Sequence, residues 1–239
     1  MHSEIVKYEV NGLKMESVLY FDETKTGKRP AVIVFPEAFG LGDHAKEKAQ
    51  KLAALGYVVL ASDLFGEGKT VSSLEEVMAF IQPLQQQPEK VRAFTKAGYD
   101  AVTARPEVDS GKVAAIGYCF GGSASLELAR SGANVRGVAG FHGGVSGSKP
   151  EDNKAIKAKV MVCIGADDPM IDANARAAWI ADMTAAKLDW QMHIYGNVVH
   201  SFTNEEADAR GMPDAIRYDA NADRRSWKAL VDFLEEAFA

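Results

Sequence analysis

The chain opens on a two-residue alternation. Apolar and polar positions take turns over residues 5–10 and again over 14–21, and Asn11-Gly12 lies between them, a dipeptide that favours the positive-φ turn of a tight hairpin. This predicts an antiparallel ribbon at a sheet edge. The pattern then changes: Ala31-Val32-Ile33-Val34-Phe35 is an unbroken apolar run, as expected of a strand covered on both faces. Beyond it, short apolar runs alternate with helical periodicity. Further strands are predicted at 57–61, 112–117, 135–141, 158–164 and 190–195. Helices are predicted at 46–55, 74–86, 89–103, 121–131, 173–186 and 220–238, with Gly56 stopping the first and Pro88 dividing the second from the third. Strand and helix in turn imply right-handed crossover units around a mostly parallel sheet with helices on both faces, an α/β fold.

No repeat, low-complexity tract or Pro/Ser-rich linker interrupts the series. Residues 143–154 are polar and Gly-rich, which predicts a surface loop rather than a boundary. Residues 1–239 therefore read as a single α/β domain, a length such folds reach.

Composition narrows the picture. A chain that is 47% hydrophobic and 25% charged sustains a large core and lacks the signature of disorder. Its net charge of -6, with no run of five or six like charges, repels polyanions, so nucleic acid is not an expected partner. The first ten residues, MHSEIVKYEV, have neither a basic nor an apolar signal region, and no apolar run approaches the length of a membrane span. A cytoplasmic protein, monomeric or weakly homo-oligomeric, is the expectation. Only Cys119 and Cys163 occur, in different local contexts, so neither a disulfide framework nor a metal-type spacing is present.

Candidate chemistry begins at Gly117-Tyr118-Cys119-Phe120-Gly121-Gly122, where a predicted strand gives way to a predicted helix. This fits the nucleophile elbow G-x-S-x-G with cysteine in place of serine. Side chains at the flanking glycines would collide with the neighbouring strand and helix, and the helix N-terminus favours the thiolate. The competing reading is a small apolar cysteine in an ordinary glycine-rich turn. Its partners appear in the chain order nucleophile, acid, histidine: Gly165-Ala166-Asp167-Asp168-Pro169 closes a later strand, and Val199-His200-Ser201-Phe202 follows the next. The carboxylate would hold one imidazole tautomer while the other ring nitrogen exchanges a proton with sulfur and leaving group. Asp168, before Pro169, is favoured as the acid, and Asp167 as a loop cap. An oxyanion hole would draw one amide from Phe120 and one from Ala38 or its neighbour Phe39, in the loop after the first central strand. Phe39, Tyr118, Ser201 and Phe202 are expected to line the substrate. Among the other histidines, His2 is terminal, His44 starts a helix and His193 alternates along a strand. His142, just past a strand end, is either a pocket border or structural.

Together Glu37-x-x-Gly40, the cysteine elbow, the Gly-x-x-Asp-Pro turn and His200-Ser201-Phe202 resemble the dienelactone hydrolase family over nearly the whole chain. The resemblance implies an α/β-hydrolase fold and cleavage of a lactone or carboxylic ester through Cys119, His200 and Asp168, with neither metal nor organic cofactor. It further implies that Glu37 contacts the resting thiol and moves away when substrate binds. One departure stands out. Dienelactone-cleaving members hold the substrate carboxylate with basic residues, one of them shortly after His-Ser-Phe, where this chain has Thr203 and Asn204. Arg92, Arg105 and Arg210 are substitutes that the sequence alone does not place. Two rivals follow: an esterase or thioesterase for substrates without a carboxylate, and a non-catalytic binding protein on the same scaffold.

Overall fold

In the computed structural model, which describes residues 1–145 and 149–239, Asn11 and Gly12 both take positive φ, 53° and 78°. They close a tight turn between β1 (His2–Val10) and β2 (Leu13–Phe21), which pair antiparallel. The remaining strands are β3 (Arg29–Phe35), β4 (Val58–Ala61), β5 (Val108–Tyr118), β6 (Gly137–Phe141), β7 (Lys159–Gly165) and β8 (Trp190–Tyr195). The eight form one sheet in the order β1-β2-β4-β3-β5-β6-β7-β8, parallel from β4 to β8 and antiparallel at the hairpin. The chain therefore has the mostly parallel α/β-hydrolase architecture with its N-terminal hairpin at one edge.

The doubly apolar strands are explained by what covers them. Ala31, Ile33 and Phe35 of β3 face a core shared with α3 (Pro88–Thr103), α4 (Phe120–Arg130) and α5 (Ala173–Ala185). Val32 and Val34 face a second core shared with α1 (Asp43–Ala54) and α6 (Ala220–Phe238). Each fully buried Val or Ile contributes about 1.5–3 kcal/mol relative to exposure, so both faces need helices. Between β4 and α3, α2 (Leu74–Gln85) opens on a capping box in which the Ser73 hydroxyl accepts from the Glu76 amide and the Glu76 carboxylate accepts from the Ser73 amide.

Several boundaries differ from the sequence pattern. β5 starts at Val108 rather than 112, because an irregularity between Arg29 and Ala31 lets Val108 pair with β3. β6 starts at 137 rather than 135, since the Val135 amide turns back on the Ala133 carbonyl at 2.8 Å. The polar segment 143–154 is not simply a surface loop: Gly143, Gly144 and Val145 are buried and Pro150–Ala155 forms a 3-10 helix, while residues 146–148 lie outside the described residues. Arg92 and Arg130 pin that helix to α3 and α4, through Asp152 at 2.6 Å and Asn153 at 2.9 Å.

Candidate active site

The end of β5 meets α4 at Cys119, whose backbone sits at φ 53°, ψ -118°. For a non-glycine residue such a conformation costs on the order of 1–3 kcal/mol and persists only where its surroundings impose it. The flanking glycines do so. A Cβ on Gly117 would lie 1.9 Å from the Gly121 carbonyl oxygen, and one on Gly121 would lie 2.3 Å from the Phe35 carbonyl oxygen. The Cys119 amide is tied to the Phe141 carbonyl at 2.9 Å and its carbonyl accepts from Gly122 at 3.0 Å. Cys119 is partly exposed. Cys163, by contrast, is buried in β7, where burial pushes its thiol up to about 12 although the Tyr195 hydroxyl donates to it at 3.6 Å.

Two loops at the same sheet end bring up the other groups. After β7, Asp168 is buried, its Oδ1 accepting from the Met170 amide at 2.9 Å and its Oδ2 facing His200 Nδ1 at 2.8 Å. Asp167 beside it is exposed. After β8, His200 is fixed by its backbone, which bonds to Ala215 and Arg217. Its Nε2 is buried and makes no hydrogen bond of good geometry. Burial opposes a charge on this ring, but the sulfur of Cys119 and the Asp168 carboxylate outweigh it and raise the imidazole to about 10. An imidazole held between sulfur and carboxylate is equipped to move protons at the sulfur.

The loop after β3 supplies backbone. Phe120 is the first residue of α4, where helix geometry gives an N–H no partner, and no hydrogen bond engages the amides of Ala38 or Phe39 among the described residues. Glu37, in the same loop, is 6% exposed. Its Oε2 accepts from Asn204 Nδ2 at 2.6 Å and Arg210 at 3.3 Å, and its Oε1 from the Ser201 hydroxyl at 3.2 Å. No hydrogen bond joins Glu37 to Cys119 among the described residues, and the partners of the carboxylate are Asn204, Ser201 and Arg210.

Several expected substrate-lining residues are elsewhere. Tyr118 is 1% exposed because the strand alternation turns it to the α1/α6 face, where it stacks on Phe141 at 4.9 Å. Phe202 is fully buried in the same core, and the Ser201 hydroxyl is spent on Glu37. Phe39 stays at the surface of the site, with the Arg210 guanidinium 3.9 Å over its ring. Of the three arginines, Arg92 is held by Glu127 and Asp152 and Arg105 by Glu4 and Glu107, so only Arg210 reaches this region. Sequence reasoning missed the inward roles of Thr203, Asn204 and His44, whereas His142, read as a pocket border or a structural residue, is fully buried. The one available signal was the polar pair directly after Phe202, at a position where burial was not legible.

Among the described residues, no cluster of three or more His, Cys, Asp or Glu side chains is arranged to hold a metal, and no helix is long and apolar enough to cross a membrane. The family model described as dienelactone hydrolase family matches residues 15–238. A carboxymethylenebutenolidase from a Pseudomonas species is 30% identical over 80% of this chain and 81% of its own. A crystal structure of a dienelactone hydrolase-like promiscuous phosphotriesterase from metagenomic libraries superposes with a TM-score of 0.95 at 42% identity, covering 100% of this chain and 99% of that one. A dienelactone hydrolase from Anabaena variabilis shares the fold at 17% identity and a TM-score of 0.63, over 90% of this chain and 99% of that one. The chain belongs to the dienelactone hydrolase family and is an ester or lactone hydrolase.

Proposed function

We propose that the chain hydrolyses a lactone or carboxylic ester through Cys119, His200 and Asp168 by way of an acyl-enzyme. The observation that carries this reading is the buried imidazole between the Asp168 carboxylate at 2.8 Å and the sulfur that raises it. The Cys119 sulfur attacks the carbonyl carbon and forms a C–S bond, while the amides of Phe120 and of Ala38 or Phe39 hold the oxyanion. As the C–O bond breaks, the His200 Nε2 proton passes to the departing alkoxide or enolate. The neutral ring then takes a proton from water as hydroxide adds to the thioester carbonyl, the C–S bond breaks to return the sulfur with His200 again protonated, and the product acid gives its proton to solvent and leaves as the carboxylate. Asp168 keeps Nδ1–H in place throughout.

Arg210 shares its charge with Glu37 and its face with Phe39, and Asn204 is turned inward. This supports substrates without a carboxylate beside, or in place of, dienelactones. The likeness to a promiscuous phosphotriesterase supports a second reading, turnover of a neutral aryl phosphotriester. A panel of a dienelactone, a neutral aryl ester and a neutral aryl phosphotriester, run on wild type and Cys119→Ala, tests both readings. Ester or lactone cleavage abolished in Cys119→Ala is expected; cleavage surviving that substitution contradicts the proposal.

A further inference from the structure

Packed against the His200 ring lies a second, fully buried imidazole. His142 directly follows β6 with φ at 41°, and its ring meets the His200 ring edge to face, centroids 5.1 Å apart at 65°. Its Nε2 is 2.8 Å from the Thr203 hydroxyl, and its Nδ1 has no partner. We infer that His142 is a positioning residue for His200, fixed in one tautomer by the Thr203 hydroxyl. The inference rests on the triad reading above.

The tautomer follows from counting protons. His44 Nε2 lies 3.0 Å from the Thr203 backbone carbonyl oxygen, which only accepts, so His44 carries its proton on Nε2. The Thr203 hydroxyl, 3.2 Å from that same nitrogen, therefore has no acceptor there. Its single proton goes to His142 Nε2, and the proton of His142 stands on Nδ1. Thr203 thus links the two rings through their Nε2 atoms, its carbonyl accepting from His44 and its hydroxyl donating to His142, while the Nδ1 of each ring makes no hydrogen bond.

Charge completes the reasoning. Burial holds His142 well below the ordinary histidine range, and the positive charges of His200, Lys48 and Arg210 act in the same direction, while His44 stands beside it as a second neutral ring. Tyr118 and Phe202 supply the aromatic walls at 6.0 and 5.3 Å. His142 thus meets His200 as an uncharged ring. It limits rotation of the catalytic imidazole without opposing the positive charge that His200 carries beside the thiolate. A protonated neighbour at that range would oppose it.

The test is the pH dependence of Cys119 alkylation by iodoacetamide, with Cys119→Ala as the blank for Cys163. In Thr203→Val the labelling midpoint is expected to move to higher pH by about half a unit or more, because the thiolate–imidazolium pair loses its fixed geometry. His142→Phe is expected to move it the same way, the double variant no further than His142→Phe alone, and Thr203→Ser to restore the wild-type midpoint. Variants that lower thermal stability or labelling amplitude while leaving the midpoint in place overturn the inference. If His142→Phe does not fold, the Val and Ser pair at 203 decides alone. His200→Ala separates the two levels: a wild-type midpoint in that variant overturns the triad itself, whereas a shifted midpoint there with unmoved Thr203 variants overturns only the positioning role.

Discussion

Asn204 donates to the Glu37 carboxylate at 2.6 Å, so a side chain at the position where relatives are expected to hold substrate is committed inside the protein. The bond joins the loop that carries Ala38 to the loop that carries His200, and Ser201 and Arg210 reinforce it. Glu37 is thereby a buried clasp between the expected oxyanion donors and the expected base. A buried carboxylate is retained only when donors surround it, and here they come from the loop it must hold.

Glu37→Ala should therefore destabilise rather than activate. It leaves the Asn204 amide and Ser201 hydroxyl without their acceptor, at a cost of about 1–3 kcal/mol. Thermal unfolding should show the loss, and alkylation of Cys119 should not accelerate. Faster labelling at unchanged stability would instead show that Glu37 screens the thiol.

The two adjacent acids should separate sharply. Asp168→Asn keeps the shape but no longer favours the Nδ1–H tautomer of His200, and kcat should fall about a thousandfold or more. Asp167 is exposed, and Asp167→Asn should leave kcat within about twofold. Steady-state kinetics on the two variants reads the difference.

At the elbow, Gly121→Ala should be among the most damaging single methyl additions. Its Cβ would sit 2.3 Å from one backbone oxygen and 2.5 Å from another, atoms that cannot rotate away. A loss of about 3 kcal/mol or more, or failure to fold, is expected in denaturant unfolding. Near-wild-type stability would contradict the described strand-to-helix turn.

Stability should respond to pH on both sides of the ordinary histidine range. His142 is held well below 6.5, so the unfolded chain takes up a proton that the folded chain refuses, and stability falls as pH drops through 6.5. His200 is raised from 6.5 to about 10, so its contribution is complete below 6.5 and is lost as pH climbs to about 10. Each group contributes a slope of at most about 1.4 kcal/mol per pH unit in its window. Relative to wild type, His142→Phe should gain stability in acid, whereas the wild-type advantage over His200→Gln should shrink between 6.5 and 10. Cys119→Ala should shift the His200 titration downward, since sulfur is the largest influence raising it.

How much of this was legible in the sequence follows from the range of the forces involved. The hairpin, the doubly covered strands and the elbow show themselves in local periodicity and in the spacing of glycines within a short motif, although what Gly121 makes room for is the distant Phe35 carbonyl. The order Cys119, Asp168, His200 was legible because the fold fixes where each strand ends. What Tyr118 faces was not, since a one-residue change of side along a strand moves a ring from pocket to core, and Phe202 lies in a turn after β8, where no periodicity sets the direction of its ring. The inward turn of Thr203 and Asn204 was also hidden: whether a polar side chain bonds to substrate or to Glu37 depends on a partner far away in sequence.

The most direct measurement is intact-mass and peptide mapping of the enzyme quenched during turnover of a slowly hydrolysed aryl ester. An acyl adduct on Cys119 that appears with turnover and decays as product forms is the predicted result. Turnover with no adduct at any quench time, together with ester cleavage by Cys119→Ala, would contradict covalent catalysis at this sulfur.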